Sequence, residues 1–153
     1  MTPPLPQLQH FCDLSVELGD PIEMGDGRAG TRRIIPITGG RVTGQITGRI
    51  LSLGADWQTI FANGAANLDT RYAMETDSGA VIEVVNIGTR AGPPEVMAAL
   101  AKGEAVDPST YYMRTHARLE SGHPDFQHLN ALMFVGSGMR QANRVLMALY
   151  EVM

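Results

Sequence analysis

The chain has little of what marks disulfide-stabilised, nucleic-acid-binding or membrane-spanning proteins. Its 153 residues include one cysteine, Cys12, so no disulfide can form within the chain, and a reducing compartment, the cytoplasm, is expected. Its 12 basic residues are outnumbered by 16 acidic ones, and the net charge is −4, so we expect no nucleic-acid partner. The first ten residues contain three prolines and no apolar run, so neither a signal peptide nor a membrane span is expected.

Familiar catalytic and cofactor motifs are also missing. The sequence contains no GxxxxGK[ST] phosphate loop and no GxSxG serine-hydrolase turn, and GSG at 136–138 is only the start of a dinucleotide fingerprint. His123 and His128 lie on either side of Asp125, but a third close ligand is missing. We therefore expect no cofactor and no metal.

Alternation of apolar and polar residues, the pattern of β-strands, dominates what is present. It is clearest at 41–53, where Val42, Ile46 and Ile50 share a face with two glycines. The predicted strands are 8–18, 28–37, 41–53, 68–76, 80–88, 111–120, 132–137 and 144–152, with turn signals at 38–40 and 77–79. One helix is predicted at 94–102, between Pro93 and Gly103. About eight strands and one short helix predict a mainly β chain, a single domain over 1–153 that forms a barrel or a sandwich.

Some of these strands are apolar on both faces, notably 34–37, 81–87 and 144–152. In a small barrel one face points inward and the other needs cover, because exposed apolar patches on monomers are usually small. The helix, a loop or a second subunit could supply this cover. We therefore expect a homo-oligomer.

Two segments, GADW at 54–57 and YYMRTHARLE at 111–120, combine charged and aromatic residues. In the second, alternation puts five polar side chains on one face: Tyr112, Arg114, His116, Arg118 and Glu120. That face either is solvated or lines a polar cavity, where a fixed guanidinium could bind a carboxylate, enolate or phenolate. Asp56 and Trp57 are predicted to lie in a glycine-rich loop, which suits a barrel mouth or a simple aspartate turn beside a core tryptophan.

Taken in order, seven segments resemble the DUF3237 family, also called UPF0311: GGRVTGQITGRIL, GADW, LDTRYAMETDSG, NIGTR, YYMRTHARLE, HLN and FVGSG. The resemblance runs from about residue 35 to the end of the sequence. It implies a single antiparallel β-barrel similar to calycins and, because the family is uncharacterised, no general activity. The family-like positions are Asp56, Trp57, Asp69, Tyr72, Arg90, Arg114, Glu120 and Asn130. Met113 and His128 depart from it, standing where an aromatic residue and a tryptophan are common.

A calycin-like barrel has one principal cavity, on which polar residues from several strands can converge. The resemblance therefore favours a ligand cavity with four catalytic residues: Asp56, Asp69, Arg114 and Glu120. The expected ligand-binding residues are Trp57, Tyr72, Arg90, Tyr112 and Asn130. One carboxylate would move a proton while Arg114 stabilises an oxyanion, as in a cofactor-free isomerase, cyclase, lyase or lactone hydrolase acting on a small oxygenated molecule. The alternatives are a non-catalytic small-molecule carrier and a structural homo-oligomer whose polar residues form buried ion pairs.

Overall fold

The computed structural model describes residues 1–153 and contains ten β-strands and one α-helix. The strands are β1 (Leu8–Leu18), β2 (Ile22–Asp26), β3 (Thr31–Gly44), β4 (Gly48–Ile50), β5 (Ala55–Ile60), β6 (Ala66–Thr76), β7 (Val81–Ala91), β8 (Tyr112–Glu120), β9 (Phe134–Arg140) and β10 (Arg144–Val152). The helix α1 is Pro94–Ala101, and two short 3₁₀ turns cover Pro108–Thr110 and Gln127–Ala131. The predicted mainly β architecture is confirmed, as an eight-stranded, closed antiparallel barrel.

The barrel closes because β1 pairs with two neighbours. It pairs with β10 along its length and also with the second half of β3, from Ile37 to Gly44. From β10 the sheet continues through β9, β8, β7 and β6, each antiparallel to the next. The short strands β4 and β5 share one position in the sheet, between β3 and β6. β5 pairs with the first part of each of these two strands, and β4 pairs with the last part. The remaining strand, β2, forms a hairpin with the start of β3 and lies at the edge of the sheet.

The prediction of a turn at 38–40 is wrong. Gly39 and Gly40 lie inside β3, which runs unbroken from Thr31 to Gly44. A Cβ on Gly40 would lie 2.0 Å from the carbonyl oxygen of Ser15 on β1. The glycines therefore let two backbones meet, and they do not reverse the chain. The predicted strand 41–53 is correspondingly split between the end of β3 and the three-residue β4.

The expected loop around GADW is also wrong, because Ala55–Ile60 forms β5. Residues of β5 pair with both β3 and β6, so Asp56 lies opposite Ile35 on one side and Thr70 on the other. Successive side chains of a strand point to opposite faces of the sheet. Asp56 accordingly lines the barrel interior, whereas Trp57 is 43% exposed on the outside.

A single apolar core of 24 buried residues fills most of the barrel. Phe11 of β1 and Phe134 of β9 contact each other across it, with ring centroids 4.8 Å apart. Helix α1 adds Met97 and Leu100 to the core from outside the sheet. Such burial of apolar surface is the main favourable contribution to folding.

The outer surface retains some apolar residues without cover. Leu53, Trp57 and Val81 are each between 43% and 51% exposed, and all three line a shallow depression on the outside of β5 to β7. Self-association through such a surface stays a prediction.

The only helix, α1, has eight residues, and no helix has the length and apolar character needed to span a membrane.

Replacing Phe134, which is fully buried, by alanine should lower the free energy of unfolding by about 3–5 kcal/mol, because it opens a cavity beside Phe11. Urea unfolding followed by circular dichroism measures this loss. Phe61→Ala is the matched control: Phe61 is 39% exposed, and its loss should be roughly 1 kcal/mol or less. Equal losses for the two variants would contradict this description of the core.

Candidate functional site

Asp56 is the carboxylate that the fold brings inside the barrel. Gln58 Nε2 donates a hydrogen bond of 2.5 Å to its Oδ2, and the backbone N–H of Asp69 donates one of 3.0 Å to its Oδ1. Loss of hydration raises the pKa of the Asp56 carboxyl above its usual value, although these hydrogen bonds, the Thr70 side chain and the charge of Arg90 oppose the rise. The carboxyl is therefore held in a fixed position and is easier to protonate than a surface aspartate.

Three arginines lie close enough to one another for their charges to interact: Arg33, Arg90 and Arg140. Arg90 and Arg140 also interact with the charge of Asp56. We call these the arginine cluster. Arg90 on β7 is 5% exposed, and burial, followed by repulsion from Arg33 and Arg140, lowers its pKa to about 10. The pKa of Arg140 is lowered mainly by burial, and next by Arg33. Arg90 nevertheless remains a cation at neutral pH.

The arginine cluster is not neutralised by the protein. Three guanidinium groups share one neighbouring carboxylate, and no nitrogen of the cluster comes within 4.0 Å of an Asp56 oxygen. Arg33 Nε instead donates to Gln58 Oε1 at 2.9 Å. Like charges held together in a weakly hydrated interior raise the energy of the site. The site therefore carries a local excess of positive charge, although the whole chain carries a net charge of −4.

Asp56, Arg90 and Arg140 line one narrow interior cavity of about 40 Å³. Its polar wall also includes Gln58, Thr70, Asn86 and Thr115. The rest of the wall is mainly apolar: Val16, Leu18, Ile35, Ile37, Leu68, Tyr72, Met113, Val145 and Met147. A mostly apolar wall with a few convergent polar groups is typical of small-molecule sites.

Arg90 also lines a second recess, which opens beside helix α1. This recess has a volume of about 370 Å³, and its wall includes Arg33, Asn63 and Met97. Arg90 thus lies between the interior cavity and the surface at the α1 end of the barrel.

The prediction that four catalytic candidates share one cavity is wrong for three of them. Asp69, Arg114 and Glu120 are exposed on the outside of β6 and β8. On β8 the buried set is Met113, Thr115, Ala117 and Leu119, so alternation turns the charged face to solvent. Solvation of that face, the alternative interpretation of the pattern, is what the structure shows.

The five ligand-binding candidates divide in the same way. Tyr72 and Arg90 line the interior cavity, and burial raises the pKa of the Tyr72 hydroxyl. Trp57 and Tyr112 point outward, and the Arg114 guanidinium stacks over the Tyr112 ring at 5.3 Å from its centroid. Asn130 is exposed and bonds the backbone N–H and C=O of Ser121 through its side-chain amide, so it holds a loop and does not reach the cavity.

Five polar residues of the interior cavity were not predicted: Gln58, Thr70, Asn86, Thr115 and Arg140. Arg33, which lines the recess beside α1, was not predicted either. For Asn86 a signal was present, because it follows Ile82 and Val84 at period two and is therefore a polar residue on a buried face. Gln58 shares the face of Asp56, but only once Ala55–Ile60 is assigned to a strand. Arg140 lies beyond the predicted end of its strand at 137. No three His, Cys, Asp or Glu side chains lie close enough to form a metal site.

Comparison with known proteins places this barrel among related chains. The family model described as "Protein of unknown function (DUF3237)" matches residues 6–152. A UPF0311 protein of Rhodopseudomonas palustris is 44% identical over 154 aligned positions that cover 100% of both chains. The crystal structure of a conserved protein of unknown function from the same species has a TM-score of 0.93, with 42% identity over 99% of this chain and 100% of the other.

Two further crystal structures share the fold. A β-barrel-like protein of Acinetobacter baumannii has a TM-score of 0.88 and 42% identity over 99% of each chain. A protein described as an enzyme from Penicillium herquei has a TM-score of 0.73 over 100% of this chain and 98% of the other, but only 16% identity, so the likeness concerns the fold alone. The family match and the full-length relatives agree with each other. The chain therefore belongs to the DUF3237 (UPF0311) family.

Proposed function

We propose that the chain binds a small oxygenated organic anion inside the barrel and catalyses proton transfer on it without a cofactor. Asp56 is the acid–base group, and the arginine cluster binds the negative charge of the substrate or of the intermediate. This assignment moves the catalytic role from the exposed Arg114 to the interior Arg90 and Arg140.

The observation that supports this proposal most strongly is the excess of positive charge in the interior. Arg90 is buried and has no ion-pair partner, and an unpaired buried charge destabilises the fold. The half-buried Arg33 and Arg140 add further positive charge beside it. The arginine cluster has one carboxylate nearby and no direct ion pair. A ligand carboxylate, enolate or phenolate would supply the missing counter-charge through charge-assisted hydrogen bonds.

Asp56 has the properties of a general base. Its pKa is raised by burial, which brings it closer to neutral pH, where a base transfers protons most effectively. Each of its oxygens accepts a hydrogen bond and the Thr70 side chain adds a third, so one of about four lone pairs remains for a substrate proton. When Asp56 takes a proton from carbon, the electron pair left behind moves to the carbonyl oxygen, and the arginine cluster stabilises the resulting enolate.

Several reaction classes use this step. Isomerisation, cyclisation and elimination each require removal of a proton beside or across from a group that gains negative charge. Lactone hydrolysis requires a base that deprotonates water and a cation that stabilises the oxyanion. The barrel fold is compatible with catalysis, since the fungal protein that shares it is described as an enzyme.

A non-catalytic carrier is the second candidate, and the mainly apolar wall of the cavity favours it. In that case the arginine cluster orients the ligand and Asp56 only accepts hydrogen bonds. The third alternative, a structural oligomer with buried ion pairs, has less support. The three ion pairs, His10–Asp13, Arg49–Glu75 and His123–Asp125, all involve partly or largely exposed side chains.

Anion binding can be tested with pyruvate, which is small and carries one carboxylate. Titration of the ¹⁵N-labelled protein should shift amide signals of β5, β6 and β7, and Arg90→Gln should weaken binding by about tenfold or more, because a charge-assisted hydrogen bond is lost. Arg114→Gln is the matched control on the outer surface and should bind like the wild type. Shifts confined to the outer face of β8, or equal losses in both variants, would oppose the interior site.

Proton transfer can be tested with the same probe in D₂O. A base that removes a methyl proton from pyruvate gives an enolate, which takes up deuterium when it returns to the keto form, and ¹H NMR follows the loss of the methyl signal. Asp56→Asn should slow this exchange by about 100-fold or more. Asp69→Asn, which alters an exposed carboxylate, should keep the wild-type rate. Pyruvate binding without exchange in the wild type would favour the carrier.

The pKa of Asp56 provides a further test that does not depend on a substrate. A ¹³C-carboxyl NMR titration should show Asp56 with a midpoint above the ordinary aspartate value of 3.8. Arg90→Gln should raise it further, since Arg90 favours the charged form, whereas Arg114→Gln should leave it unchanged. Because the base must be ionised, exchange should fall as the pH drops through this midpoint. A midpoint at or below 3.8 would remove the argument for Asp56 as a base near neutral pH.

A further inference from the structure

Two buried polar atoms in the interior have no hydrogen-bond partner: Arg90 Nε and Asn86 Oδ1. Both side chains belong to residues that are 5% exposed, and both residues line the interior cavity. More than nine in ten buried polar groups in folded proteins have a partner. The cavity is therefore the place where these two groups acquire theirs.

The two groups are far apart along one strand. Arg90 and Asn86 lie four residues apart on β7, with Gly88 between them on the same face. A strand advances about 3.3 Å per residue, so their Cα atoms are roughly 13 Å apart. Side chains stand approximately perpendicular to a sheet, so a separation of several ångströms remains between the two polar atoms. Oxygens on adjacent carbons, about 3 Å apart, would not reach both.

The space between them is mainly apolar. Strand pairing places Leu68 and Thr115 on the two sides of Gly88, and Met113 opposite Arg90. The Thr115 hydroxyl donates to Met147 Sδ at 3.8 Å. Leu68 and Met113 both line the cavity. A ligand that contacts both polar groups would accordingly have a hydrocarbon middle section, and the cavity volume of about 40 Å³ favours a slender one.

The Asn86 end lies in the same row of the sheet as the proposed base. Asp56 pairs with Thr70, and Thr70 pairs with Asn86, so the three residues lie side by side on β5, β6 and β7. An amide group is matched by a hydroxyl, because a hydroxyl both donates and accepts hydrogen bonds. A ligand group at Asn86 is thus also near the acid–base residue, which the charge of Arg90 reaches as well.

We infer that the ligand is a slender anion with a hydroxyl group remote from its charge: the anionic oxygens bind Arg90 and the arginine cluster, and the hydroxyl binds Asn86 beside Asp56. This inference rests on the proposed function, since it uses the same interior anion site. It narrows the ligand class to ω-hydroxy acids and to enolates or phenolates that carry a distant hydroxyl.

Three six-carbon acids test this arrangement: hexanoate, 2-hydroxyhexanoate and 6-hydroxyhexanoate. Dissociation constants come from ¹⁵N–¹H NMR titrations of the wild type at neutral pH. The 6-hydroxy acid should bind about tenfold more tightly than hexanoate, since it completes one buried hydrogen bond, and the 2-hydroxy acid should gain less than threefold. In Asn86→Ala the dissociation constants of 6-hydroxyhexanoate and hexanoate should become nearly equal. The dissociation constant of hexanoate should change by less than about twofold.

The outcomes separate this inference from the proposed function. If none of the three acids and no pyruvate binds inside the wild-type barrel, the anion site itself is wrong. If hexanoate binds but the 6-hydroxy acid binds no more tightly, or if the 2-hydroxy acid gains equally, the anion site stands and the remote hydroxyl is wrong. Persistence of the preference in a folded Asn86→Ala variant would also overturn it. The wild-type ranking decides the question even if that variant does not fold.

Discussion

The pairing of β1 with β3 is the interaction on which the rest of the structure depends. It joins the first strand to residues 37–44 of β3 and converts an open sheet into a barrel. The contact needs glycine: Cβ atoms on Gly40 and Gly44 would lie 2.0 and 2.7 Å from carbonyl oxygens of β1, and both residues have positive φ, of 138° and 127°. Side chains at these positions would hold the two backbones apart and leave two open sheet edges.

Closure also decides which groups are removed from water. Once the barrel has an inside, alternation along each strand sends every second side chain there. On β5 this buries Asp56 and exposes Trp57, and on β7 it aligns Ile82, Val84 and Asn86 with Arg90. Desolvation then raises the pKa of the carboxyl and lowers that of the guanidinium. The unusual electrostatics of the interior are thus a consequence of strand phase and closure together.

Sequence periodicity was sufficient for the mainly β class, and the family resemblance selected a barrel over a sandwich, but together they identified only part of the site. The strands Leu8–Leu18 and Arg144–Val152 have their predicted limits. Alternation also grouped Arg114 with Glu120 correctly on one face of β8. It could not show that this face is outside, since that depends on the opposite face, which is buried from Met113 to Leu119. Asn86 was missed because it is a polar residue on an otherwise apolar strand, and Arg140 because it lies beyond the predicted end of its strand. That either side chain lines the cavity becomes apparent only when the neighbouring strands are in place.

The position of Arg90 has a kinetic consequence. This side chain lines both the interior cavity and the recess beside α1, so it is simultaneously part of the binding site and part of the wall that separates it from solvent. For an anion that enters the proposed site through the recess, the Arg90 guanidinium would both attract the anion and block its passage. Capture and release would then depend on rotation of one side chain, and a tightly held anion would keep its own exit closed.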